Sequence, residues 1–273
     1  MCQRLCMGTF SMALIANWLF GMNLNINIIA LATIIMLGLG MLGTMSHLGK
    51  PGRFLNAMKN PTSHLTLEML TCVPVGICYL IIGLDGLLYS LPETALLVVE
   101  VVGLLASVLF IWVTALAYRM KARPAWNTVF TPLNFMLEYV SAGCLGTCFF
   151  ATVFGQQIPV AFLVTTAVLL AASLAGQLFY TYYVGHVGYH VDIKPFGEEC
   201  KGFYTAWLAL GLAIPVVCLA LLFAFPANPI LGIVAVCSEA LSLIVWQCFF
   251  FLSGKEVWYF PQYDKNLVPT DWY

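Results

Sequence analysis

The chain has 273 residues, of which 62% are hydrophobic and only 8% charged, with a formal net charge of −1 and a mean hydropathy of +0.93. A water-soluble fold of this length could not hide so much apolar surface, so the composition predicts an all-α integral membrane protein, a single domain built as a bundle of about eight transmembrane helices. No basic stripe for nucleic acid is present, and the ten cysteines form no CxxC pair, so neither a disulfide framework nor a zinc or iron–sulfur motif is legible.

A crossing of the hydrocarbon layer takes about 20 apolar residues. On that rule spans fall near residues 5–22, 26–46, 64–89, 93–118, 130–154, 158–185, 203–225 and 228–252, the first being the shortest. The breaks carry turn-forming residues: Asn23 to Asn27, Lys50 to Pro61, Leu91-Pro92, Arg119 to Pro124, Gln156 to Pro159, Asp192 to Gly202, and Pro226 to Pro229. Pro74 and Pro215 fall inside spans and predict kinks rather than ends.

Eight spans place both termini on one side. Every lysine and arginine then lands there, from Arg4 through Lys50, Arg53, Lys59, Arg119, Lys121, Arg123, Lys194 and Lys201 to Lys255 and Lys265, while Asp85 and Glu93 are left on the other side. The histidines His47, His64, His186 and His190 sit on or beside the charged side as well. The positive-inside rule assigns that side to the cytoplasm. Docking of an acidic partner accounts for the same charges.

The connection between the second and third spans holds the most chemistry. In Ser46-His47-Leu48-Gly49-Lys50-Pro51-Gly52-Arg53-Phe54-Leu55-Asn56-Ala57, a histidine ends a long apolar helix, Gly49 and Pro51 break it, and Arg53 and Asn56 follow. Ser63-His64-Leu65-Thr66-Leu67-Glu68 then opens the third span with a carboxylate about one turn in. This pattern resembles the membrane anchor subunit of dimethyl sulfoxide reductase, whose second interhelical loop reads H-L-G-x-P-x-R-x-x-N followed by S-x-x-x-x-E. Arg123-Pro124-Ala125-Trp126-Asn127 and Thr131-Pro132 resemble a second segment of the same family. The last span departs from it, Glu239 being followed four positions later by Leu243 where the family often has arginine.

The resemblance implies an anchor in a prokaryotic cytoplasmic membrane that binds a quinol, menaquinol or ubiquinol, and passes its electrons to an iron–sulfur subunit feeding a molybdopterin catalytic subunit. No haem or iron–sulfur cluster is expected on this chain, nor a metal site. Such relatives often carry their catalytic subunits on the outer side, which sets the resemblance against the positive-inside assignment. A quinol needs an apolar slot, hydrogen-bond partners for two hydroxyls and bases for two protons. His47 and Glu68 are the candidate bases, with Arg53, Asn56 and Trp126 as further binding candidates.

Each candidate also has a structural reading. His47 suits the C-terminal carbonyls of its helix, Glu68 the positive end of its helix dipole, Arg53 a lipid phosphate, and Trp126 the interfacial aromatic belt. Glu100, Glu138 and Glu239 lie deeper and suit either a proton path or polar contacts between helices. His186 and His190, one turn apart, suit a solvated helix end or a metal. A small-molecule transporter and a b-type haem quinol oxidoreductase subunit are the rival classes. The first lacks a repeated pair of broken helices, and the second needs histidines at membrane depth.

Overall fold

The computed structural model describes residues 2–46, 64–121, 123–184 and 201–254. Among them are eight helical rods: α1 (Cys2–Phe20), α2 (Ile26–Ser46), α3 (His64–Leu84), α4 (Glu93–Ala117), α5 (Phe130–Val153), α6 (Val160–Tyr182), a three-part α7 (Lys201–Leu208, the π turn Ala209–Ala213 and Ile214–Ala224) and α8 (Pro229–Ser253). All but α1 contain a stretch long and apolar enough to cross a membrane. The protein is therefore a multi-pass membrane protein of the expected all-helical class.

The expected first span is present as α1, which differs from the other seven in lacking such an apolar stretch. It carries Gln3, Arg4 and Asn17, and its residues from Arg4 to Leu14 are almost all buried by protein. A helix enclosed by other helices has no need of a lipid-compatible surface. It packs chiefly on α5, with α2 and α4 as further neighbours. The approach to α5 depends on absent side chains: a Cβ on Gly8 would lie 2.0 Å from the Tyr139 carbonyl oxygen, and one on Gly143 would lie 2.4 Å from the Gly8 backbone. Small residues at such crossings let backbones close up where no hydrophobic effect drives helices together.

The rods alternate in direction, and hydrogen bonds tie the same ends together. At one end Asn17 grips the backbone of Leu24 twice, donating to its carbonyl at 3.0 Å and accepting from its amide at 2.9 Å, just after Gly21 (φ 66°) has ended α1. Nearby, Asn27 donates to the Asp85 carbonyl at 2.6 Å, Asp85 Oδ1 accepts from the Leu91 amide at 2.8 Å, and Gln156 donates to the Asn23 carbonyl. The third span was expected to run to residue 89. It stops at Leu84 because Asp85 and the left-handed Gly86 (φ 76°) build this turn.

Pro74 lies within a continuous α3, whereas Pro215 lies two residues after the π turn of α7. Proline cannot supply the amide that an α-helical ladder requires there. Two serines one turn apart on α8 serve carbonyls at this irregularity: Ser238 donates to Leu210 and Ser242 to Trp207. Gly211 makes the close fit feasible, since a Cβ there would meet Ser242 Oγ at 2.4 Å.

Candidate functional site

At the end of the bundle opposite Asn17 and Asp85, the helices separate around a cavity of about 560 Å³. Its wall draws on six rods: Cys2, Gln3 and Arg4 of α1, Leu39, Gly40 and Gly43 of α2, Glu68 of α3, Ile111 and Thr114 of α4 with Tyr118 just beyond it, Phe135 of α5, and Gln247 and Phe251 of α8. This volume lies inside the range of about 300–1,000 Å³ usual for small-molecule sites. The wall is mixed, with a carboxylate, a guanidinium, amides and a phenol set among Leu39, Ile111, Phe135 and Phe251.

Glu68 sits on the second turn of α3, half-buried, and its Oε1 accepts a hydrogen bond from Thr114 Oγ1 of α4 at 3.2 Å. That bond holds one carboxylate oxygen toward α4. Thr71, one turn along α3, donates back to the Leu67 carbonyl at 2.9 Å and to that of Glu68 at 3.1 Å.

Arg4 enters from the first turn of α1 and is buried. Its guanidinium forms an ion pair with Glu138 of α5, donates to Gln247 Oε1 of α8, and lies 4.1 Å from the centre of the Phe135 ring. Glu138 is fully buried, and its other oxygen accepts from Gln177 Nε2 of α6 at 3.1 Å. Gln177 Oε1 in turn accepts from the Trp207 indole of α7 at 2.9 Å. One polar chain thus crosses α1, α5, α6, α7 and α8 behind the cavity. A buried pair of charges persists only when its remaining hydrogen-bonding capacity is met, and the two glutamines and Trp207 meet it here.

Glu239 is also buried on α8, where it borders a small polar cavity of about 10 Å³ together with Ser173, Gln177 and Ser242. Glu100 is half-buried on α4, and no hydrogen bond joins it to Glu138 or Glu239 among the described residues. Of the expected deep acids, Glu138 is thus a strut between helices.

The match that decides the family covers more than half of the chain: the model of the DMSO reductase anchor subunit (DmsC) family matches residues 9–189. This chain belongs to that family. No curated protein and no solved structure matches it. The stretch matched to the anchor family holds Glu68, Thr114, Tyr118, Phe135 and Glu138, while Arg4, Gln247 and Phe251 complete the cavity from outside it.

Among the residues expected at the site, Glu68 lines the cavity of this anchor-family chain. His47, Arg53 and Asn56 lie outside the described residues, as do His186 and His190. Trp126 is placed differently from a residue that stacks directly on a bound ring. It is buried outside the cavity wall, its indole N–H donates to the Phe250 carbonyl at 2.7 Å, its ring stacks on Phe250 at 5.3 Å and 8°, and Arg123 lies 4.5 Å from its ring centre. Arg123 also donates to the Gly254 carbonyl at 3.0 Å, so the segment Arg123–Trp126 clasps the end of α8.

The residues that sequence reasoning missed are Arg4, Gln247, Thr114 and Tyr118. Arg4 was legible only as one more cation on the charged side. Its position in the first turn of a helix with Gln3 beside it was the available signal, since an intramembrane charge needs a partner, and Glu138 is the acid that it meets.

Proposed function

We propose that this cavity is a quinol-oxidation site, and that the chain anchors an iron–sulfur subunit and a molybdopterin catalytic subunit at the same end of the bundle. The observation that carries the reading is the carboxylate of Glu68, held by Thr114, on the wall of a ligand-sized cavity that sets polar groups among Leu39, Ile111, Phe135 and Phe251. Oxidation of a quinol breaks two O–H bonds, releasing two protons and two electrons and leaving the quinone. In the proposed reaction Glu68 takes the proton of one hydroxyl, and His47, one residue beyond the end of α2, serves the other. Arg53 and Asn56 help to seat the ring. Trp126 acts through Phe250, by fixing the end of α8 next to Phe251.

In the proposed reaction the two electrons leave toward the iron–sulfur partner. The ion pair of Arg4 and Glu138 is the rigid back wall. It gives a neutral quinol a hydrogen-bonding surface without a free charge. Menaquinol or ubiquinol fits this scheme equally, and the setting proposed is a prokaryotic cytoplasmic membrane.

The test is quinol-dependent reduction by the assembled complex in membranes, run beside an artificial electron donor that bypasses the anchor. Glu68→Gln keeps the size and the hydrogen bond but removes the base, so quinol turnover should fall about a hundredfold while the artificial donor works as before. Unchanged quinol turnover would take Glu68 out of the site.

A further inference from the structure

A second, wholly different hollow lies directly beneath the cavity. It is a groove of about 260 Å³ whose lining includes Leu5 and Cys6 of α1, Ala32 and Met36 of α2, Phe149 of α5 and Val236 of α8. On α1 its residues follow those of the cavity without a gap, Leu5 after Arg4. On α2 Met36 comes one turn before Gly40. On α8 the step from Gln247 to Val236 spans eleven residues, about 16 Å along the axis. The groove thus continues the cavity toward the middle of the bilayer. It is open at its side, since α2 and α8 do not pack closely on one another and Met36 is 37% exposed.

We infer that this groove seats the polyprenyl tail of the quinol whose ring occupies the cavity above, an inference that rests on the proposed quinol site. The chemistry of the two hollows divides as the parts of such a molecule do. The upper one offers carboxylate, guanidinium and amide groups to a ring with two hydroxyls, and the lower one offers mainly aliphatic and aromatic carbon to a hydrocarbon chain, the hydroxyls of its Thr9 and Thr33 being donated to the Leu5 and Cys6 carbonyls. The groove also solves a problem of access. A ring cannot enter an interhelical cavity from the bilayer unless its tail has a continuous exit to lipid, and the cleft between α2 and α8 is that exit. Lipid is as apolar as the groove, so burial of the tail adds little attraction. The groove acts by shape: it admits a tailed ring and fixes the direction from which that ring enters.

The experiment uses the intact complex in membranes with two photoreactive polyprenyl quinones, one carrying a diazirine on the ring and the other on the first isoprenoid unit. The ring probe should label peptides of the cavity wall, and the tail probe peptides holding Leu5–Cys6, Ala32–Met36 or Phe149. A ring label in the cavity with the tail label elsewhere removes the groove and leaves the quinol site standing; absence of ring label from the cavity removes both. Steady-state kinetics give a second measure. In Ala32→Trp, and independently in Val236→Trp, the ratio of kcat/KM for a tailed quinol to that for a tailless quinol should drop about tenfold or more, the order of effect that overpacking produces. An equal fall for both quinols, or no fall for either, overturns the assignment, with an equal fall pointing to a structural lipid or a partner helix in the groove.

Discussion

The two ends of this bundle use polar side chains in opposite ways. At the end holding Asn17, Asn27, Asp85 and Gln156, each of these side chains is bonded to backbone: Asn17 and Asp85 close their own turns, and Asn27 and Gln156 tie one turn to another. At the other end Glu68, Arg4 and Gln247 bond to side chains from other helices and border open volume. Both sets sit near the membrane surface and both are costly to bury. The first set is consumed by the chain's own need to turn, whereas the second is arranged around space for something else. For a membrane protein this contrast locates function better than a count of charges, because a polar group already satisfied by a turn has little left to give a ligand.

Substitutions at four places sharpen the comparison, and the largest effect belongs to the cavity's back wall. Arg4→Met strands a fully buried Glu138, a loss of about 3–5 kcal/mol for a broken buried pair, so the complex should fail to accumulate in membranes. Arg4→Met combined with Glu138→Met should recover most of that loss, as read by thermal denaturation in detergent. Were the single and double variants equally unstable, the pair would not be the strut described here.

Next in size is Glu68→Gln, with its hundredfold fall in quinol turnover at normal assembly. The turn-closing end should respond in the reverse manner. Asn17→Ala removes two hydrogen bonds to Leu24, each worth about 1 kcal/mol, and should lower the unfolding temperature while leaving quinol turnover per assembled complex unchanged. A selective loss of turnover in this variant would erase the distinction between the two ends. The smallest effect is expected from Thr114→Val, which frees Glu68 from its partner on α4. Loss of one such bond costs about 1 kcal/mol, so turnover should fall only several-fold, mainly through kcat. A change in stability alone would make Thr114 a packing residue.

The helices and most of their ends were readable from the chain because the bilayer imposes one dominant rule: backbone groups must be satisfied within the segment. Where the reading of the ends failed, a local device intervened. The span expected to reach residue 89 ends at Leu84 through the Asp85–Gly86 turn, and α1 is shielded by protein rather than by lipid. The candidate site was only partly readable. Glu68 stood out because a carboxylate one turn into a span is conspicuous. Arg4 and Gln247 lie 243 residues apart in the chain and meet only through folding. Trp126 was placed near the right end of the bundle, but its engagement with Phe250 depends on where α8 finishes.

Composition and spacing alone settled that this chain is helical and spans a membrane, and that the segment from His47 to Glu68 resembles the anchor family. Those properties follow from local rules, hydrophobic length and the cost of charge in hydrocarbon, which act on each stretch of chain independently. Which acid pairs with which cation, which helix is wrapped by the others and where the bundle leaves room are relations between distant segments. They were decided by packing: Gly8 against Gly143 draws α1 and α5 together and brings Arg4 to Glu138, and the cavity remains where the bulk of the surrounding helices does not close the gap.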